Sequence, residues 1–224
     1  MLLIKINGGG TQVGREFLPV FSNWAETYDA FVTGKDPAYA AVFENYSKML
    51  GKIAVQSGEK IIEFGSGTGN LTLQLLHQKK RVMAIEPSAA MRKKASSKLP
   101  KGFTQYDGDL LEFPEPPFTP DTIVSSFVFH HLNAEEKRAA IEKYYALLPQ
   151  GGKVIFADTM FLSLQAFQAI LRDAKEQGYD ALLEDLISEY YPLISELEAL
   201  FKGAGFTVSF EQQNSYAWLV TAYK

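Results

Sequence analysis

The sequence predicts an α/β fold with a mostly parallel seven-stranded sheet, helices on both faces and a C-terminal antiparallel hairpin. Three observations lead to this prediction. Short β-rich runs alternate with helical stretches from residue 60 to residue 157, which is typical of βαβ units. A glycine-rich turn joins the first of these strands to the next helix. The last two strands are separated by too few residues for a crossover helix, so they must pair antiparallel.

Each element follows from a local pattern of apolar residues. Strands are predicted at 60–64, 82–85, 103–107, 122–129, 153–157, 206–211 and 215–222. The helices between them are predicted at 70–78, 88–98 and 134–148, with Ser88 as the N-cap of the second.

Two helical regions and an N-terminal extension complete the predicted organisation. Residues 17–50 form a helical cap of two helices, and residues 163–202 form a helical lid interrupted by Gly178 and Pro192. Residues 14–224 are expected to be one domain. Residues 1–13 are expected to be dispensable, because Gly9-Gly10 is what a read-through GGAGG ribosome-binding sequence encodes and Val13 follows at the distance of a GTG start.

Composition limits the classes of function. With 46% hydrophobic and 21% charged residues the chain has an ordinary soluble composition, and its net charge of -4 argues against nucleic acid as the main partner. The basic run Arg92-Lys93-Lys94, with Lys98 and Lys101, is interpreted as a solvated helix face. The chain has no cysteine and no apolar run of roughly 18 residues. We expect a cytoplasmic protein, a monomer or a homodimer, without nucleic-acid or membrane partners.

The glycine-rich turn predicts a site where backbone approaches a ligand closely at a helix N-terminus. In Glu63-Phe64-Gly65-Ser66-Gly67-Thr68-Gly69 the third glycine comes one residue earlier than in the G-x-G-x-x-G of dinucleotide-binding folds. A nicotinamide-dependent oxidoreductase is therefore disfavoured. Acidic residues follow the next two strands, Glu86 after the second and Asp109 after the third. Because these strand ends share one edge of the sheet, both acids are expected in the same crevice.

These motifs resemble those of class I S-adenosylmethionine (SAM)-dependent methyltransferases, whose first motif is E-x-G-x-G-x-G and whose sheet also ends in an antiparallel hairpin. The chain is similar, from Gly14 to its C-terminus, to the YrrT group of bacterial SAM-dependent methyltransferases. Segments that carry this likeness include Gly14-Arg15-Glu16-Phe17-Leu18-Pro19, Ile85-Glu86-Pro87-Ser88, Phe129-His130-His131-Leu132, Phe156-Ala157-Asp158-Thr159 and Glu189-Tyr190-Tyr191. The resemblance implies a Rossmann-like class I methyltransferase fold, SAM as methyl donor, S-adenosylhomocysteine as product and a small-molecule acceptor that it does not identify.

The resemblance also implies which residues bind the cofactor: Gly65, Gly67, Glu86 and Asp109. Glu86 would accept hydrogen bonds from both ribose hydroxyls, and Asp109 would lie near the adenine amino group. We expect Glu86 to face the crevice outside the core, so that replacing it weakens binding and leaves the fold intact. Its alternative role is that of an acid that stabilises the start of the next helix.

His130 and His131 are candidate catalytic bases, because an acceptor that loses a proton needs one. The alternative is that they are loop histidines that pack against or cap the next helix. Methyl transfer chiefly requires alignment, so the sequence assigns no catalytic residue outright. Neither histidine has a cysteine or an acid at metal-ligand spacing, and no metal site is expected.

Four further residues have two interpretations. Asp158 either orients a substrate amine or bonds loop backbone. Tyr28 either contacts SAM, whose cationic sulfonium a ring face attracts, or packs in the core. Of the adjacent Tyr190 and Tyr191, one is expected to face the crevice and the other solvent or core.

The leading hypothesis is a SAM-dependent methyltransferase that acts on a small molecule. The alternative is a non-catalytic protein that binds SAM or S-adenosylhomocysteine as a sensor or scaffold. The predicted lid separates the two, because a pure binder has no need of about 40 helical residues closing a second pocket.

Overall fold

The computed structural model describes residues 25–224. The expectations for residues 1–13 and for the first part of the cap at 17–50 fall on residues 1–24, outside the described residues. The helices are α1 (Tyr28–Phe31), α2 (Tyr46–Gln56), α3 (Asn70–His77), α4 (Ala89–Ala95), α5 (Ala134–Leu147), α6 (Leu164–Glu176), α7 (Asp180–Ser188) and α8 (Ile194–Ala204), with a 3₁₀ turn at Phe129–His131. The strands are β1 (Lys60–Phe64), β2 (Arg81–Ile85), β3 (Thr122–Ser126), β4 (Lys153–Thr159), β5 (Thr207–Gln212) and β6 (Ala217–Tyr223).

The strands form one sheet in the order β2-β1-β3-β4-β6-β5. The first four are parallel, and β6 runs antiparallel to both β4 and β5. The mostly parallel sheet and the terminal hairpin are therefore confirmed. The carboxyl ends of β1 to β4 lie at one edge of the sheet, which gathers the loops that follow them.

The sheet has six strands, and the predicted count of seven is wrong. The segment predicted as a strand at 103–107 makes only an isolated parallel bridge between Tyr106 and Ile85. The chain after it forms no helix, because prolines at positions 114, 116, 117 and 120 remove backbone donors and break helical geometry. This unit is therefore a loop that runs along the edge of β2.

Two apolar clusters pack on opposite faces of the sheet. Ile61 belongs to one cluster, with residues of α2, α3 and α7, whereas Ile62 and Phe64 belong to the other, with residues of α5 and α8. Successive residues of a strand point to opposite faces, so the alternation in β1 places helices on both sides, as predicted.

The turn between β1 and α3 requires its glycines. Gly65, Gly67 and Gly69 have φ angles of +61°, +52° and +86°, a region that other residues enter at a cost. A Cβ at Gly65 would lie 2.3 Å from a methyl carbon of Val128. The glycines therefore allow the loop after β3 to pack directly against this turn.

The structure shows where the cap and lid helices begin and end. The second cap helix begins at Tyr46, after Asn45 with a φ of +62°, because residues 32–45 form turns. The lid is broken where predicted: α6 ends before Gly178, and Pro192 lies in the link between α7 and α8.

A polar network ties α1 to the glycine turn. Asp29 accepts hydrogen bonds from Thr68 Oγ1 at 2.6 Å and from Asn70 Nδ2 at 3.2 Å, and Lys98 Nζ lies 2.8 Å from its Oδ2. Lys98 also donates to Thr68 Oγ1 at 3.0 Å. Its assignment to a solvated face is therefore wrong: Lys98 clamps the cap against the turn, a contact between distant segments that periodicity does not reveal.

We expect Lys98→Met to lower the free energy of unfolding by about 1.5–3 kcal/mol, because it removes hydrogen bonds to a charged group. Lys94→Met is the matched control, since Lys94 forms an ion pair with exposed Glu26 and surface pairs of this kind stabilise a fold little. Urea denaturation measures both variants. Equal losses would contradict a clamping role for Lys98.

Candidate functional site

A pocket lies above the glycine turn, at the carboxyl edge of the parallel strands. The four residues predicted to bind the cofactor all line it: Gly65, Gly67, Glu86 and Asp109. We call this the glycine-side pocket. A Cβ on Gly67 would meet nothing nearer than the Gly65 carbonyl oxygen, at 3.9 Å, so the backbone at Gly67 stays open to a ligand.

Glu86 joins two turns of the backbone. Its Oε2 accepts the N–H of Gly67 and its Oε1 accepts the N–H of Ser88, both at 2.8 Å. Glu86 faces the glycine-side pocket, belongs to neither apolar cluster and is only 6% exposed. Burial raises the pKa of Glu86 to about 7, even though both hydrogen bonds favour the ionised form.

Asp109 is held by its own turn. Its Oδ1 accepts the N–H groups of Leu111 at 2.9 Å and Glu112 at 2.7 Å, and its N–H donates to the carbonyl oxygen of Glu112. The side chain therefore keeps a fixed position on the far wall of the pocket from Gly67.

Beneath the pocket, Glu63 is fully buried in the sheet. Its Oε2 accepts a hydrogen bond from Thr72 Oγ1 at 2.6 Å. Burial raises the pKa of Glu63 to about 8, and the nearby Glu86 adds to the shift. Glu63 does not line the glycine-side pocket, and it links β1 to α3 instead.

A second cavity of about 300 Å³ lies between the cap and the lid, and we call it the lid chamber. Aromatic residues form much of its wall: Tyr28, Phe31, Tyr39, Phe43, Phe127, Tyr191 and Tyr216. Its polar side is formed by His130, His131, Glu189 and Asp185, of which Asp185 accepts a hydrogen bond from the Tyr39 hydroxyl. The chamber thus offers an apolar enclosure with a few polar groups, as small-molecule sites do.

His130 is fixed by Asp158. Its Nδ1 lies 2.5 Å from Asp158 Oδ1, and its backbone N–H donates to Asp158 Oδ2 at 3.1 Å. Asp158 also accepts the Thr159 N–H at 2.7 Å, so it bonds loop backbone and the His130 ring. Burial lowers the pKa of His130, but the negative charges of Asp158 and Glu189 outweigh this effect and raise it overall.

Glu189, which directly follows α7, lies close to both histidines. Its Oε2 lies 3.3 Å from His130 Nε2, and its Oε1 lies 3.7 Å from His131 Nδ1. Tyr191 stacks on the His130 ring and donates its hydroxyl hydrogen to Glu189, while Tyr190 is 43% exposed. The expectation that one tyrosine faces the crevice and the other does not therefore holds, although both lie in the link after α7 and not in a helix.

Tyr28, Phe127 and His131 line both cavities, so the glycine-side pocket and the lid chamber adjoin at these three residues. Phe127 has a φ of +55°, a strained conformation for a residue with a Cβ. Its N–H donates to the Ala157 carbonyl oxygen at 2.8 Å, which anchors the strained residue to β4. Sequence analysis missed Phe127, since nothing in its pattern signals a left-handed backbone.

Sequence analysis also missed Glu189 as a partner of the histidines, because only the folded lid brings it to them. Lys137 was missed for the same reason. It is 3% exposed and donates to the carbonyl oxygens of Leu132 and, at 2.7 Å, Tyr190, which fixes the lid link above α5. Burial lowers the pKa of Lys137 to about 8. Over residues 25–224, we find no helix with the length and apolar character that a membrane crossing requires.

Solved structures similar to the chain define its fold. The magnesium protoporphyrin IX methyltransferase of Synechocystis PCC 6803, solved with bound SAM, superposes with a TM-score of 0.69 at 13% identity, over 97% of this chain and 100% of that one. A SAM-dependent methyltransferase of Thermotoga maritima superposes with a TM-score of 0.67 at 15% identity, over 93% and 100%. The chain therefore has the class I methyltransferase fold.

Sequence relatives define the family. Residues 61–152 match the methyltransferase domain family. The uncharacterized methyltransferase YrrT of Bacillus subtilis is 50% identical over 212 residues, which cover 95% of this chain and 100% of that protein. An uncharacterized methyltransferase of Bacillus pumilus is 51% identical, over 95% of this chain and 99% of that protein. The chain belongs to the YrrT family of methyltransferases, as its motifs indicated.

Replacing Glu63 should change how stability depends on pH. The unfolded chain loses this proton near pH 4.5 and the folded chain near 8, so between these values the folded state holds one more proton. The free energy of unfolding therefore falls with rising pH by up to about 1.4 kcal/mol per pH unit from this group alone. Glu63→Gln keeps an acceptor for Thr72 and carries no proton, so its stability should fall less from pH 5 to pH 8.

Urea denaturation across this pH range measures the effect. Glu59→Gln is the control, because Glu59 is an exposed carboxylate just before β1. A Glu63→Gln curve parallel to that of the unmodified chain would contradict the raised pKa.

Proposed function

We propose that the protein transfers a methyl group from SAM, bound in the glycine-side pocket, to a small molecule held in the lid chamber. One observation carries the proposal: two cavities with largely different linings adjoin at Tyr28, Phe127 and His131, which line both. A transfer reaction between two ligands needs this arrangement, since the reacting atoms must meet while the remainder of each ligand is bound apart.

The charge of the glycine-side pocket favours SAM over a dinucleotide. Glu86 and Asp109 are both buried in its wall, and among the described residues that line it there is no lysine or arginine. A pyrophosphate would lie close to two carboxylates without a compensating cation. A ligand that carries a positive sulfonium and an ammonium group suits this environment better.

The residues present also fit the parts of SAM. The open backbone at Gly67 can lie against the ligand, and Glu86 has lone pairs left on both oxygens to accept ribose hydroxyl hydrogens beside its two backbone bonds. Asp109 lies in the wall of the same pocket, where the family resemblance places an acid near the adenine amino group. SAM supplies a methyl group on a sulfur that leaves as a neutral thioether.

The chain's own task is then to align the acceptor and to exclude water. The aromatic wall of the lid chamber encloses the acceptor, and His131 lies where the chamber meets the glycine-side pocket. Burial and the charge of His130 hold the pKa of His131 well below its usual range, so its imidazole is neutral and can accept a proton or a hydrogen bond.

The lid chamber distinguishes this function from that of a sensor or scaffold that only binds SAM. Such a binder has no use for a second cavity of about 300 Å³ beside the first. Incubation with SAM labelled on the methyl group and a small-molecule fraction of bacterial extract tests the difference. Label recovered in a small molecule supports the enzyme, and binding of SAM without transfer from any fraction supports the binder.

The identity of the cofactor can be tested by thermal stability. At 100 times its dissociation constant, SAM or S-adenosylhomocysteine should stabilise the fold by about 2.7 kcal/mol. For a chain of this size that corresponds to a rise of about 5–10 °C in Tm. NAD and NADP should give no rise at the same concentrations, and the reverse ranking would contradict the proposed donor.

The role of Glu86 needs a readout that separates binding from stability. Glu86→Gln keeps the size but leaves a backbone N–H unpaired, so we expect the free energy of unfolding to fall by about 1–3 kcal/mol. If Glu86 also accepts ribose hydroxyls, S-adenosylhomocysteine should bind roughly 30- to 150-fold more weakly, a loss of about 2–3 kcal/mol.

The 2′-deoxy analogue of S-adenosylhomocysteine supplies the control. The unmodified chain should prefer the natural ligand over this analogue, and Glu86→Gln should lose most of that preference. Isothermal titration at a temperature where both proteins are folded gives the ratio. An unchanged ratio would assign Glu86 a structural role only.

A further inference from the structure

Three side chains on the polar side of the lid chamber are arranged as metal ligands. His130 and His131 come from the 3₁₀ turn after β3, and Glu189 comes from the end of α7. One ring nitrogen of each histidine and one carboxylate oxygen of Glu189 all lie within 4.8 Å of one another. Sequence spacing gave no acid near the histidines, and the expectation of no metal site depended on that spacing.

We propose that His130, His131 and Glu189 bind a divalent transition-metal ion of the zinc type in the lid chamber. The inference deepens the proposed function, because it places the ion where the acceptor is expected to bind. Two imidazoles and one carboxylate are a common ligand set for zinc, and such sets leave a fourth position open for water or a substrate.

The distances suit a single ion. Ligand atoms about 2.1 Å from a tetrahedral centre lie roughly 3.4 Å from one another. Glu189 Oε2 lies 3.3 Å from His130 Nε2, and Glu189 Oε1 lies 3.7 Å from His131 Nδ1. One ligand atom of each of the three residues lies within 4.8 Å of the other two, so the side chains must draw closer together to bind one ion.

The surrounding residues orient the ligands. Asp158 pairs with His130 Nδ1, so the other ring nitrogen, Nε2, is the one directed towards Glu189. A carboxylate behind a ligand histidine is the usual partner in zinc sites, where it fixes the tautomer and makes the imidazole more basic. Tyr191 stacks on the same ring and bonds Glu189, so the ring and the carboxylate move little relative to each other.

The carboxylates around the His130 ring carry negative charge that a bound cation would compensate. Asp158 and Glu189 flank the His130 ring, Asp185 lies in the same chamber, and the nearest buried cation, Lys137, is bonded to backbone carbonyl oxygens. Buried carboxylates need a compensating partner. The partner that compensates these carboxylates is either a metal ion shared by the three ligands or a proton on His130. Of these two, the metal ion also contacts His131.

The open position of the ion would face the chamber, so the inference also narrows the acceptor. A hydroxyl or thiol that binds a zinc-type ion would have a lower pKa and would release its proton to solvent water; its oxygen or sulfur then takes the methyl group of SAM as the sulfonium sulfur leaves as a neutral thioether. An acceptor with such a group therefore fits the site better than an amine, which offers no proton of comparable acidity.

The test uses the full-length chain freed of any polyhistidine tag and of metal. Isothermal titration with Zn²⁺, supported by the visible absorption of bound Co²⁺, measures affinity and stoichiometry. We expect one Zn²⁺ per chain, and at least 100-fold weaker binding in Glu189→Gln and His131→Ala. His77→Ala is the matched control and should bind as the unmodified chain does, because the exposed His77 lies on α3, outside the three-ligand cluster.

Asp158→Asn tests the positioning role. It should weaken Zn²⁺ binding by about 10- to 100-fold and change the Co²⁺ spectrum while all three ligands remain. The affinity for S-adenosylhomocysteine, measured on every variant, shows whether the fold and the glycine-side pocket are intact.

Two results would overturn the inference. One is the absence of stoichiometric Zn²⁺ binding to a chain that binds S-adenosylhomocysteine, and the other is equal Zn²⁺ affinity in the unmodified chain, Glu189→Gln and His131→Ala. Both leave the proposed function standing. Failure to bind S-adenosylhomocysteine at all would instead count against the proposed function itself.

Discussion

The burial of carboxylates at one edge of the sheet is the constraint on which the rest of the site depends. Glu63, Glu86, Asp109 and Asp158 are each at most 8% exposed. An ionised carboxylate in such a place is stable only when hydrogen-bond donors surround it. Glu86 and Asp109 are served by backbone N–H groups of the loops that follow the strands, so those loops must take the conformations that direct the N–H groups inwards. The positive φ angles of the glycine turn are part of this requirement.

The same constraint links the two cavities. The glycine turn packs against Val128 because Gly65 has no side chain, and this contact fixes the start of the loop after β3. Phe127, just before Val128, has the strained conformation described above. Strain of this kind persists only where the surroundings determine it, and Phe127 lines both cavities. The boundary between the two cavities thus includes a strained residue next to the one that packs on the glycine turn.

Much of the fold could be predicted from the sequence because it is encoded locally. The alternation of short apolar runs with helical stretches, the N-cap at Ser88 and the short link in the terminal hairpin each need only neighbouring residues. The prediction was wrong at 103–107, where the pattern is strand-like but the prolines that follow allow no crossover helix. The convergence of Gly65, Gly67, Glu86 and Asp109 around one pocket was predictable, since the first three follow parallel strands and the segment before Asp109 makes a parallel bridge to β2. The role of Glu86 as a buried link between two turns was not predictable, because the sequence pattern does not show which backbone donors surround an acidic side chain.

The position of Glu189 in the lid could not be predicted from the sequence, for a physical reason. Glu189 stands close to the histidines only because Lys137, on α5, holds the carbonyl oxygen of Tyr190, and because the N–H of Tyr190 donates to the carbonyl oxygen of His130. Both bonds join segments far apart in the chain, and both use backbone groups whose positions the residue type does not reveal. The same bonds therefore hold the lid link and the polar side of the lid chamber, so a change in the path of the link would also move Glu189. For an acceptor bound in the lid chamber, as we propose, the path of this link would then also decide how the acceptor fits.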